Sequence, residues 1–192
     1  VTQMKTFELK GVDRATVGKK AVKALRKEGM IPCVLYGGEK NVNFQVSVGD
    51  VRKLIYTPEI FLVELEVEGV AYKAIVKDLQ FHPVKDNVLH IDFLQVFEDK
   101  DVVMEVPVKL EGLADGVRMG GKLSQELRKL KVKANYKNIP ERLVVNVEKL
   151  GLGKTIQVGA LSYDNLTILN SVNNVVAAVK LTRAARGAAA KQ

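Results

Sequence analysis

Residues 78–93, DLQFHPVKDNVLHIDF, place a glutamine and a His-x-Asp pair on either side of a proline turn. Successive residues of a strand project to opposite faces, so His90 and Asp92 share one face, where a carboxylate beside an imidazole holds it as a fixed donor. Gln80, on the preceding strand, adds an amide that both donates and accepts. An ordinary cross-strand polar pair carries the same residue types, so this stretch alone does not separate structure from function. Residues 14–38 run from a cluster of cations through a glycine into an apolar segment ending at Tyr36. With successive helical residues turned by roughly 100°, Lys19, Lys20, Lys23, Arg26 and Lys27 fill one arc, and Val17, Ala21, Ala24 and Leu25 the other. A solvated amphipathic helix would carry that pattern too. Together with Arg14 and Tyr36, the two stretches form an inventory suited to RNA: cations for phosphates, and an amide and an imidazole for base edges and 2′-hydroxyls.

Other groupings fail on their own requirements. Cys33, His82, His90 and Asp92 supply a nucleophile, a base and an orienting carboxylate as types, but no nucleophile motif or metal-ligand spacing accompanies them. Cys33 sits in IPCVLYG, where a small buried residue is expected, and a single cysteine excludes an internal disulfide and a cysteine-rich zinc site. His82 precedes a proline turn. Residues 116–122, GVRMGGK, match the first seven positions of a phosphate-cradling loop, but Leu123 stands where the magnesium-binding Ser or Thr must be. Gly153-Lys154-Thr155 has the opposite fault, because Glu148 occupies the first glycine position and would repel phosphate. No catalytic residue, metal site or cofactor is expected.

Strands must do most of the positioning. The cationic helix is predicted over residues 16–28, with Thr16 as N-cap, Gly29 in the left-handed position after the helix and Pro32 beyond it. Its apolar arc is expected to dock on a core. Alternation predicts an opening strand around Phe7 and Leu9 and further strands over 31–36, 42–48, 60–67, 71–81 and 88–97, with a short helix capped by Asp50 and stopped before Pro58. Glu68-Gly69 reads as a tight hairpin turn, and residues 83–87 as a second turn. Short strands of this kind suggest a barrel or sandwich closed by two helices. The charged spacer at 98–101 marks a boundary, so a first domain is expected over 1–98 and a second β-rich domain over 99–182. The second is read as strands over 102–110, 123–134, 142–147, 156–158 and 172–181, with a glycine-rich loop at 112–121. The fold class is mainly β with a few helices. Residues 183–192 have almost nothing to bury and are expected to form a disordered basic tail.

The net charge of +8 is unevenly placed. Residues 1–30 carry eight Lys and Arg against three acids, whereas residues 31–98 carry six against ten. Positive charge is thus concentrated on the opening arm and helix, which suits an acidic partner met at one face. Residues 99–180, with thirteen against nine, leave room for a weaker second basic surface. No run approaches the ~18 apolar residues of a membrane span. The N-terminal residues lack the apolar segment of a secretory signal, so a soluble cytoplasmic protein is expected.

In chain order, the motifs Arg14-x-x-x-Gly18-Lys19, Leu25-Arg26-x-x-Gly29-x-Ile-Pro-x-Val-Leu-Tyr36-Gly, Asp78-x-Gln80-x-His82-Pro and His90-Ile-Asp92-Phe closely resemble the bacterial large-subunit ribosomal protein L-twenty-five family. The match is to its longer, two-domain form, the general stress protein CTC family. Glu105-Val-Pro-Val, Gly116-Val, Gly120-Gly, Ile139-Pro and Leu150-x-x-Gly resemble its C-terminal domain, so the likeness spans about residues 4–182. The resemblance implies a non-enzymatic protein of the large (50S) subunit with an N-terminal six-stranded barrel-like domain. That domain would bind 5S rRNA at an irregular internal-loop helix, through its widened minor groove, and help to build the central protuberance. By motif position, Arg14, Lys19, Lys23 and Arg26 would contact phosphates, with Lys20 on the same cationic face. Tyr36, Gln80, His90 and Asp92 would form the sheet-side RNA surface. Some shorter relatives have arginine where this chain has Lys23 and Ala24, and lysine cannot make arginine's planar bidentate phosphate contact. The resemblance further implies a monomer on the ribosome, no membrane partner, and contacts of the second domain with neighbouring ribosomal proteins or 23S rRNA. A soluble stress factor with a regulatory ribosome contact is the alternative reading.

Overall fold

The computed structural model describes residues 4–14 and 18–182. Two compact units divide the chain, one reaching to residue 102 with 135–137 added, the other formed by 103–134 and residues from 138 onward.

The first unit contains β1 (Lys5–Asp13), α1 (Lys19–Lys27), β2 (Met30–Tyr36), β3 (Val42–Ser47), α2 (Val48–Tyr56), β4 (Phe61–Val67), β5 (Val70–Phe81) and β6 (Val88–Gln95). Its six strands form a closed barrel in the order β1-β3-β2-β6-β5-β4, with a parallel β1–β4 pairing completing the circle. Closure leaves no unpaired sheet edge, so the alternation seen in the sequence resolves simply into inside and outside. Leu9, Ile31, Cys33, Leu35, Phe44, Val46, Val63, Leu65, Ile91 and Phe93 fill the interior, joined by Val51 and Leu54 of α2. The rings of Phe44 and Phe93 meet at 5.5 Å between centroids, tilted by 42°. Gly11 permits this packing, since a Cβ there would come 2.6 Å from Phe44 Cδ2.

Local chemistry sets the connections. Glu68 (φ +50°) and Gly69 (φ +79°) are both left-handed, the two-residue turn that matches strand twist. The cap of α2 is Ser47 and not Asp50: the Ser47 hydroxyl accepts from Gly49 N at 3.2 Å, while Asp50 lies in the first turn, where its charge favours the helix dipole. The expected strand over 88–97 ends at Gln95.

The second unit is again β-rich: β7 (Asp101–Glu111), α3 (Asp115–Arg118), β8 (Lys122–Gln125), β9 (Lys129–Asn135), β10 (Leu143–Asn146), β11 (Thr155–Gln157), β12 (Thr167–Ile168) and β13 (Val175–Lys180). They form a four-stranded sheet, β10-β7-β9-β12, and a three-stranded sheet, β11-β13-β8. The single strand expected over 123–134 is therefore two strands in different sheets. Glu126 N and Leu127 N donate to Val176 O, and Val108 N donates to Arg128 O, so the chain crosses between sheets at 126–128. The glycines of the phosphate-loop lookalike have packing duties. A Cβ on Gly116 would meet the backbone of Gly151 and Leu152 within 2.9 Å, and one on Gly121 would strike Val179 and Gly116 O. The expected tail at 183–192 lies outside the described residues.

Candidate nucleic-acid interface

Barrel closure fixes which side chains share the outer wall. Cys33, Ile91 and Leu79 are level on β2, β6 and β5 and point inward, so Val34, Asp92 and Asp78 are level on the outside. Gln80 stands directly opposite His90 in the next outward row. The glutamine and the His-x-Asp pair are thus neighbours, as alternation requires. Asp78, two residues before Gln80, shares that outward face; a bulge between Val76 and Asp78 switches the parity of β5, so Val76 points inward while Asp78 and Gln80 point outward.

His90 Nδ1 lies 2.6 Å from Asp92 Oδ1, both side chains about a quarter exposed at 24% and 27%. The contact is close but lacks hydrogen-bond alignment, and Nδ1 is enclosed. The carboxylate therefore orients the ring chiefly by proximity and charge, and Nε2 is the nitrogen left for a ligand. Asp78 Oδ1 accepts from Leu79 N at 2.9 Å. Tyr36 joins this cluster: partial burial, then the charges of Asp92 and Asp78, push its phenol pKa up, so it remains a neutral hydroxyl donor.

Arg14 reaches the same wall from the end of β1, its backbone N–H donating to Asn43 O on β3 at 3.0 Å. Its Nε and Nη1 are enclosed without a hydrogen-bond partner among the described residues. Beneath the wall, burial raises the Cys33 thiol pKa far above its usual range, with the Arg14 charge opposing and the Asp92 charge adding to the shift. That is the reverse of what a nucleophile needs.

α1 keeps the wheel's orientation, with Lys19, Lys20, Lys23, Arg26 and Lys27 all exposed, but packs lightly. It buries none of its residues; Ala24 is exposed, and Ala21, Val22 and Leu25 are only half-buried. Arg26 tethers the helix to β6, its Nε and Nη2 both donating to Leu89 O, at 3.1 and 2.7 Å. The helix starts at Lys19 with Gly18 (φ +133°) in the cap position, whereas Thr16 and Val17 lie outside the described residues. At the other end Gly29 (φ +76°) provides the expected left-handed exit, and Val48 N donates to Gly29 O. Lys19, Lys20 and Lys23 remain exposed. Among the described residues no group of three or more His, Cys, Asp or Glu could hold a metal ion, and no helix is long and apolar enough to cross a membrane.

The described residues thus form a closed β-barrel with a cationic helix and a polar outer wall, followed by a second β-rich unit. The chain belongs to the ribosomal L25p family, whose model matches residues 9–93, while the model described as the ribosomal protein TL5 C-terminal domain matches residues 101–183. Among its relatives, large ribosomal subunit protein bL25 of Porphyromonas gingivalis is 65% identical over 191 residues, covering 98% of this chain and 100% of that one. The protein of the same name from Azobacteroides pseudotrichonymphae is 62% identical over 184 residues, covering 95% and 97%. That of Bacteroides fragilis is 56% identical over 192 residues, covering 97% and 98%. The family is one of structural ribosomal proteins, not of enzymes.

Proposed function

We propose that this chain is a structural component of the large (50S) ribosomal subunit that binds 5S rRNA at an irregular internal-loop helix and helps to build the central protuberance. The observation that carries this reading is the outward quartet of Gln80, His90, Asp92 and Asp78 on adjoining strands, with Tyr36 beside it. Two carboxylates on a surface that meets RNA cannot face phosphates, so they must accept from 2′-hydroxyls and exocyclic amines, while Gln80 and His90 Nε2 read base or ribose edges. Such atoms are displayed in the minor groove of A-form RNA, and an irregular loop widens access to them. Lys19, Lys20 and Lys23 of α1 supply phosphate contacts, and Arg26 adds what its Leu89 bonds leave free. Arg14 has most to gain by moving, because two enclosed, unpaired donors cost about 1–3 kcal/mol each, a penalty that a phosphate would remove.

In this role the protein resides on cytoplasmic ribosomes as a monomer, with the second unit free to contact neighbouring ribosomal proteins or 23S rRNA. The test is to mix the protein with deproteinised total ribosomal RNA and recover what it holds. Selective recovery of 5S rRNA is expected; recovery of 5S and 23S rRNA in proportion to their mass would overturn the reading. Copurification at one copy per large subunit, irrespective of growth condition, separates the structural role from that of a regulatory stress factor.

A further inference from the structure

Because α1 is tethered through Arg26 and not packed down, a groove of about 970 Å³ opens between it and the turn at residues 83–87. Lys19, Lys23 and Lys27 line one wall, and His82 and Lys85 the other. Val22, Met30, Val48 and Val88 contribute apolar lining, and no acidic side chain is among the described lining residues. A volume near the top of the ~300–1,000 Å³ range of ligand clefts is far more than one inorganic anion fills. An apolar ligand would leave the cations without a partner. A ribose-phosphate strand satisfies both halves, with phosphates against the lysines and sugar or an unstacked base on the apolar lining.

The turn is built to present Lys85 in a fixed place. His82 N donates to Asn87 O at 2.8 Å, and Asp86 N to His82 O at 3.0 Å. His82 Nδ1 accepts from the backbone N–H groups of Val84 and Lys85, each at 3.2 Å, which assigns the ring proton to Nε2 and makes that atom a donor. Tyr56 of α2 donates to Asp86 O at 3.4 Å, tying the turn to the barrel end. The groove also continues from the polar wall. Gln80 and His90 are cross-strand partners; His82 lies two residues beyond the one, and Leu89, which accepts from Arg26 and lines the groove, immediately precedes the other.

We propose that this groove is a second track for the RNA backbone, in which Lys85 and the Nε2–H of His82 bind phosphates that run on from the polar wall, opposite the lysines of α1. The proposal rests on the RNA-binding reading above. An acidic protein segment shares the charge of RNA, but the continuity with the polar wall favours a single polynucleotide crossing both.

The test titrates the full chain and its Lys85→Gln and Lys85→Glu variants onto a 5S internal-loop fragment at several salt concentrations. The Lys85 side chain is exposed on the turn, so both variants are expected to keep the native circular dichroism spectrum. Lys85→Gln is expected to weaken binding about 2- to 10-fold and to reduce the slope of log affinity against log salt by roughly one unit, with Lys85→Glu losing more. Selective wild-type binding with unchanged affinity and slope in both variants would overturn the groove proposal and leave the RNA reading standing. Absence of selective wild-type binding would overturn both. A polyglutamate peptide bound by the wild type and lost in Lys85→Glu, with RNA affinity unaltered, would assign the groove to an acidic protein segment and so also overturn the proposal.

Discussion

Asp78 and Asp92 stand directly opposite each other on β5 and β6, and like charges in that position destabilise a sheet. Their placement makes sense if the wall is built for a partner that donates to both. Replacing Asp78 by Asn keeps the oxygen that accepts from Leu79 N but removes the repulsion. Asp78→Asn is therefore expected to stabilise the barrel by about 0.2–1 kcal/mol in thermal melts while lowering the preference for the irregular loop; a variant both less stable and equally selective would refute this trade. His90→Ala is expected to erode that preference, whereas Arg14→Ala weakens binding to irregular and paired RNA alike; uniform loss in both would deny the division of labour. For Cys33, fully buried with its thiol pKa pushed up, no reaction with a thiol-specific reagent is expected until the protein unfolds. Stoichiometric labelling of the folded protein would contradict the core assignment. His90, Asp92 and Gln80 were legible as neighbours because strand period and turn position alone bring them together. Asp78, two residues before Gln80, follows by the same period. Lys85 was not legible, because its place depends on how a turn folds.

At the scale of elements, the barrel's strands were readable because a closed sheet converts alternation directly into inside and outside. Its packing is tight enough to test with one methyl group. Gly11→Ala would press against the Phe44 ring, and a loss of about 1–3 kcal/mol is expected in denaturant unfolding, with affinity for RNA falling only as the folded fraction falls. An unchanged midpoint would show that the Phe44 ring moves freely. The helix was legible as a cationic element and in its orientation, but not in how lightly it packs. A wheel gives direction and not depth: Ala21 and Leu25 are only half-buried, Ala24 is exposed, and two bonds from Arg26 to one carbonyl add a polar tether. In the second unit, the split between β8 and β9 does leave a mark in the sequence: Arg128 and Lys129 are adjacent charges, so the apolar parity switches between Leu127 and Leu130 where the hydrogen bonds change partners.

At the scale of the whole molecule, the sequence divides into a part rich in recognisable chemistry and a part whose chemistry is generic. The barrel core is drawn entirely from residues 7–93, which also hold every residue of the candidate RNA wall. A fragment spanning residues 1–102 is thus expected to unfold cooperatively and to retain the intact protein's preference for the irregular loop. Loss of that preference in a folded fragment would bring the second unit into recognition. The second unit's division into two sheets is defined by backbone pairing, and the parity break at 128–129 marks only one crossing, so the sequence indicated its β content better than its topology. The most direct test of recognition by the barrel wall is a titration of the intact protein onto the 5S internal-loop fragment and onto a fully paired duplex of equal length, across several salt concentrations. Phosphate contacts weaken with salt on both RNAs, so both affinities are expected to fall while the preference for the irregular loop persists. Equal affinities for the two RNAs at every salt concentration would contradict recognition by Gln80, His90, Asp92 and Asp78.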